Sequence, residues 1–186
     1  LRLSRGLGDV YKRQDFMSDV YLGNPNLKKA NTPIEFTEEQ VIEFLKCKED
    51  PVYFANNYIK IVSLDEGLTQ FHPYHFQEKL INRFHENRFN ICKMPRQTGK
   101  STTVVSYLLH YAVFNDSVNI GILANKAATA RELLGRLQTA YENLPKWMQQ
   151  GIIAWNKGSM ELENGSKILA ASTSASAVRG MSFNIL

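Results

Sequence analysis

Cysteine is scarce: Cys47 and Cys92 are the only two in 186 residues, and they stand too far apart to form a Cys-x-x-Cys pair. That excludes a disulfide-stapled scaffold and a cysteine-based zinc site, and it suits a reducing compartment. Long hydrophobic runs are missing as well, so no stretch has the length that a bilayer-spanning helix needs. Nor does the sequence show a secretory signal, an internal repeat or a low-complexity tract.

A real excess of one charge is lacking too, although the formal net charge is +4. Residues 1–14 hold Arg2, Arg5, Lys12 and Arg13 against Asp9 alone. Within them, Asp9-Val10-Tyr11-Lys12-Arg13-Gln14 back-translates to GATGTGTATAAGAGACAG, a transposon end used in sequencing-library adapters. The segment is therefore expected to be translated adapter, and the chain a fragment; the alternative is a genuine basic N-terminus. Without it, 18 basic and 17 acidic residues remain, a net charge of +1. Overall charge then gives no argument for a nucleic-acid partner. What remains is long enough for one domain with its own core.

Residues 15–36 are polar and lack a clear period, a leader that either wraps the domain or stays loose. A helical subregion is expected over 37–88. Thr37-Glu38-Glu39-Gln40 has the capping-box pattern ahead of Val41, Ile42, Phe44 and Leu45. Asp50-Pro51 is a second helix start, before Val52, Tyr53, Phe54 and Tyr58. A third helix follows Pro73, with Phe76, Leu80, Ile81 and Phe84 at helical spacing.

From residue 89 the pattern changes to strands alternating with helices. Phe89–Met94 is expected as a strand, Lys100–Phe114 as a helix and Val118–Ala124 as a strand apolar enough for burial on both faces. Asn125 is placed to cap a helix through Tyr141, with Ala130, Leu134, Leu137 and Tyr141 on one face. Asn164-Gly165 suits a type I′ turn between strands 159–163 and 166–171. Phe183–Leu186 begins another apolar strand. The alternation predicts an α/β fold with a parallel sheet over 89–186 and right-handed crossovers.

The junction of the first strand and its helix reads Met94-Pro95-Arg96-Gln97-Thr98-Gly99-Lys100-Ser101-Thr102. It nearly spells the phosphate loop G-x-x-x-x-G-K-[ST], with Met94 where the first glycine belongs. Such a motif has meaning only where it leaves a strand and opens a helix, and here both are expected. Successive N–H groups of Thr98 to Thr102, together with the positive end of the helix dipole, would favour a polyphosphate. Lys100 would reach the outer phosphates, and Ser101 would offer its hydroxyl to Mg²⁺. The missing glycine alters the turn into the loop and leaves the later N–H donors in place; Pro95 fixes φ and biases Met94 toward extended backbone. Arg96 reads either as an arginine finger acting in cis or as a surface arginine paired with a carboxylate, and spacing alone does not separate the two.

From about Lys46 to Leu186 the sequence resembles the large terminase subunit of contractile-tailed, double-stranded DNA phages, the ATPase that packages the genome. The likeness runs through KCKEDPVYFANNYIKI, FNICKMPRQTGKSTTVV, IGILANKAATARELLGRL, LPKWMQQGIIAWNKGSMELENGSKI and SASAVRGMSFNIL, in that order. The resemblance implies a P-loop NTPase fold cut before its sheet is complete, binding ATP and Mg²⁺. It makes Lys100 the phosphate lysine and Ser101 the metal ligand, with Gln97, Thr98, Gly99 and Thr102 in the nucleotide site. It gives Arg96 the cis-acting role and Gln77, in PYHFQEKL, the reading of adenine. Arg179-Gly180 falls just before the family's second acidic motif, where the arginine would either touch DNA or neighbouring loops or make a plain loop-end salt bridge.

The acidic Asp-Glu pair and the nuclease domain of that family would lie beyond Leu186. The fragment is accordingly expected to bind nucleotide weakly and not turn it over, with an exposed sheet edge prone to self-association. For the parent, the resemblance implies double-stranded DNA, a portal protein and a small terminase subunit as partners. It also implies a homo-oligomeric ring and action in the host cytoplasm on the procapsid. The alternatives are a helicase or restriction-type translocase, or a nucleotide-gated assembly module without turnover. His72, His75, His85 and His110 have no metal-ligand spacing, and neither cysteine is expected to be catalytic.

Overall fold

The computed structural model describes residues 19–63, 65–173 and 180–186. The adapter-like segment and Arg179 therefore lie outside the described residues.

The helices fall where caps and periodicity place them. Thr37 Oγ1 accepts from the Gln40 N–H while the Gln40 side chain accepts from the Thr37 N–H, a complete capping box for α1 (Glu38–Glu49). Asp50 Oδ1 accepts from the N–H groups of Val52 and Tyr53 and starts α2 (Pro51–Tyr58), whose proline sits where no N–H partner is needed. α3 (His75–Glu86) and α4 (Lys100–Phe114) follow. From Thr103 onward α4 is buried on nearly every side, as expected of a helix apolar all round. It packs among α2, α3 and α5 (Ala127–Glu142). Leu109, Leu134 and Leu137 are fully buried there, each contributing about 1.5–3 kcal/mol of apolar burial. The start of α5 is shifted: Lys126, not Asn125, occupies the cap and makes no side-chain capping bond.

The sheet departs from the expected parallel one. Its order is β5 (Asn119–Ala124), β8 (Lys167–Ser172), β7 (Ser159–Leu162), β6 (Ile152–Trp155), and only β5–β8 is parallel. β5 is buried through Ile120, Gly121 and Ile122 as foreseen, while the hairpin strands turn the remainder antiparallel. Residues 183–186 lie on the other side of β5, with one parallel bridge, Ile120 to Ile185. Residues 89–94 are not a strand. Phe89 is 84% exposed and Ile91 fully exposed, because no neighbouring chain offers them a ladder of N–H and C=O partners. An apolar groove of about 480 Å³ separates them from 183–186.

The hairpin at Asn164-Gly165 forms, but not through a type I′ turn. Gly165 alone is left-handed, at φ 80°. Asn164 is held by its own side chain, whose Nδ2 donates to the carbonyls of Ala112 and Asn115 and whose Oδ1 accepts from Ser166 N. This ties the turn to the end of α4.

Two small antiparallel hairpins had no sequence signal that distinguished them: β1 (Val20–Tyr21) with β2 (Asn24–Lys28), and β3 (Lys60–Ser63) with β4 (Gly67–Gln70). The first shows that the leader wraps the domain. Leu27 is buried, Lys28 N donates to Gln149 Oε1, and Lys28 Nζ pairs with Glu163 at 2.9 Å. Burial pushes the Glu163 carboxyl up, but the Lys28 bond and main-chain donors outweigh it and hold the group below its usual value. The close approach depends on Gly151, where a Cβ would stand 2.5 Å from Ala30 Cα, a main-chain atom that cannot swing aside. Gly151→Ala is expected to cost about 1–3 kcal/mol, seen as a lower Tm and faster proteolysis after Lys28 and Lys29.

Candidate functional site

Between α3 and α4 the chain runs irregularly to Pro95, turns at Arg96 and Gln97, and enters α4 at Lys100, so of the two elements expected to flank the motif the helix forms and the strand does not. Gln97 and Gly99 are both left-handed, at φ 63° and 72°, and flank Thr98, which is not. Alternating hand in successive residues turns neighbouring N–H groups toward one side and makes a concavity for anions. Gly99 is the N-cap of α4 and supplies no capping side chain. The N–H groups of Lys100, Ser101 and Thr102 thus have no protein acceptor among the described residues, as the first turn of a helix leaves them. Gly99 is favoured by its left-handed backbone, and a Cβ there would oblige the end of the Gln77 side chain to shift.

The residues expected to act together are brought together. Lys100 Nζ donates to the carbonyls of Met94, at 3.1 Å, and Pro95, so the ammonium lies over the loop's own entry. Thr98 Oγ1 donates to the Pro95 carbonyl at 3.1 Å and braces the turn. Ser101 and Thr102 are half-buried, and among the described residues neither hydroxyl has a hydrogen-bond partner. Arg96 and Gln97 are exposed at the tip, and no described carboxylate lies within ion-pairing distance of Arg96.

Gln77 also reaches the loop, from α3. It is 97% buried; its Oε1 accepts from Tyr74 N at 2.8 Å and its Nε2 lies 3.5 Å from the Thr98 carbonyl. Its amide is engaged with protein on both sides, so an adenine edge would have to displace one of these contacts.

Among the described residues no group of three or more His, Cys, Asp or Glu side chains converges on a common centre. A magnesium ion here would take one oxygen from Ser101 and the rest from phosphate and water, in keeping with its habit of retaining waters. Burial pushes the Cys47 thiol up to about 12, which leaves it inert. No described helix is long and apolar enough to cross a membrane.

Beside the loop lies a cavity of about 770 Å³ that sequence reasoning missed, walled by β3, α4 and α5 and touching Thr102. Its walls come from segments far apart in the sequence, which no local pattern joins.

A family model described as the terminase large subunit, T4likevirus-type, N-terminal, matches residues 91–186, just over half of the chain. The chain belongs to this terminase large-subunit family. The match begins at Ile91, so it takes in the loop, α4, α5 and the whole four-stranded sheet. The crystal structure of the HK97 bacteriophage large terminase resembles it with a TM-score of 0.59 and 16% sequence identity. That alignment covers 73% of this chain and 29% of the HK97 chain. The terminase likeness at that identity is one of fold, and the chain spans less than a third of the HK97 protein's length.

Proposed function

We propose that this chain is the nucleotide-binding part of a DNA-packaging ATPase, with Met94–Thr102 as its phosphate loop. The observation that carries the reading is the alternating hand of Gln97 and Gly99 leading into free first-turn N–H groups, with a lysine ammonium at the same place. A polyphosphate offers more acceptors, and more charge, than the two carbonyls that Lys100 now meets. The ammonium would transfer to the β- and γ-phosphates of ATP, while the N–H groups of Gly99 to Thr102 hold the phosphate oxygens. Ser101 would ligate Mg²⁺, which neutralises phosphate charge as the bond to the leaving group breaks. Arg96, exposed and without a carboxylate partner, would swing to the γ-phosphate. Gln77 supports the loop from behind through Thr98.

In the parent protein, ATP hydrolysis would drive duplex DNA into the procapsid through a ring of copies seated on a portal protein, with a small terminase subunit delivering the DNA. That work belongs in the host cytoplasm during assembly. DNA would be held mainly by its phosphates, so its affinity would fall steeply with salt.

The test is equilibrium binding of Mg·ATP to this chain and to Lys100→Ala. The substitution is expected to weaken binding by about 10- to 100-fold, the loss of a charge-assisted hydrogen bond, with the melting temperature unchanged. Equal affinities, or no ATP binding by the unsubstituted chain, would remove the reading.

A further inference from the structure

Two stretches of main chain border the apolar groove of about 480 Å³, and each has an edge without partners. On one side 183–186 runs beside β5, where Ile185 N donates to the Asn119 carbonyl and the Ile185 carbonyl accepts from Gly121 N. Alternation along an extended chain turns the Asn184 carbonyl and the Leu186 N–H away from β5. Neither is bonded among the described residues. On the other side, no main-chain N–H or C=O from Phe89 to Lys93 is bonded among the described residues. Phe84, Val104, Tyr107 and Leu108 line the space between the two, so it offers a wall for apolar side chains but no main-chain partner of its own.

The segment is also tethered at its far end. Lys100 Nζ donates to the carbonyls of Met94 and Pro95, which holds the chain after Lys93 against the start of α4. A ligand that draws the ammonium away releases that end.

Resting on the phosphate-loop reading, we propose that 89–93 is a strap poised to close: when a polyphosphate takes Lys100, the strap enters the groove and pairs with 183–186 as a further strand of the sheet. Closing gives partners to both unbonded edges and takes strap side chains that now face water out of it. Ligand and closure then favour one another by the same factor.

The chain carries its own reporter. Cys92 is exposed within the strap and lines the groove, while Cys47 is buried, so neutral iodoacetamide reads the strap alone. Saturating Mg²⁺ and inorganic triphosphate are expected to slow Cys92 alkylation in the whole chain by about tenfold, and to slow amide hydrogen exchange at 89–93 and 184–186 in step. Ile91→Asp changes a side chain that is fully exposed in the open state. It is expected to leave the melting temperature of the free chain unchanged, to keep Cys92 fast with triphosphate bound, and to weaken triphosphate by the same factor. An unchanged alkylation rate with triphosphate bound, slowing that survives Ile91→Asp, or slowed alkylation without amide protection would each overturn the inference; the exchange measurement on the unsubstituted chain decides if Ile91→Asp fails to fold. A chain that binds no triphosphate at all would instead strike the phosphate-loop reading, and this inference with it.

Discussion

On the proposed function, Arg96→Ala in the parent protein is expected to lower ATP turnover by about 10³- to 10⁵-fold while changing ATP affinity only a few-fold. The asymmetry follows from where the guanidinium stands. It is exposed at the tip of the loop, follows the rigid Pro95, and has no described carboxylate to hold it. A residue so free contributes little to the ground state, yet once ATP is seated it can meet charge that grows on the γ-phosphate. Arg96→Lys keeps the charge and loses the planar fork, so it should recover only part of the rate. Single-turnover hydrolysis beside equilibrium binding separates the two effects. Unchanged turnover in Arg96→Ala would return the residue to the surface-arginine alternative that spacing alone left open.

How much of this was legible in the sequence depended on how local the determining contacts are. Thr37 with Gln40, and Asp50 with Pro51, announce helix starts because their side-chain capping bonds all lie within three residues. The turn into α4 was legible for the same reason: its shape is set by Gln97, Gly99 and the helix that follows. Strands are another matter. Residues 89–94 have the composition of a strand, but a strand exists only where another chain pairs with it, and the side chain of Ile91 is left fully exposed.

Periodicity likewise gave the existence of α1 but not its buried face: Val41, Ile42 and Leu45 are about half exposed or more, and Cys47 is the residue buried. The Asn164-Gly165 turn changed type because Asn164 finds acceptors about fifty residues away in Ala112 and Asn115. The cavity was hidden for the same reason, since its walls come from β3, α4 and α5.

Acid should expose a different part of the fold, through His110. The imidazole is almost fully buried within α4, with Phe54 and Phe114 rings 5.5 and 4.9 Å away, and its Nε2 lies 2.9 Å from the Cys47 carbonyl. Nε2 therefore carries the proton, and Nδ1 has no partner among the described residues. Burial pushes the group down to about 4, against the opposing pull of the Cys47 carbonyl. An unfolded histidine titrates near 6.5. Between these values the unfolded chain binds a proton that the folded chain refuses, so stability is full above about pH 6.5 and falls on acidification by up to about 1.4 kcal/mol per pH unit, roughly 3 kcal/mol in all. Below about pH 4 both states are protonated and this loss stops growing. His110→Phe removes the titration, though it strands the Cys47 carbonyl and so starts from a lower stability at neutral pH. Urea unfolding followed through Trp147 and Trp155, from about pH 7.5 to about pH 4.5, should show the gap between the two proteins closing only below about pH 6.5. A gap that stays constant across that range would mean that the imidazole is reached by protons in the folded state, and that the aromatic cluster around α4 is looser than its packing indicates.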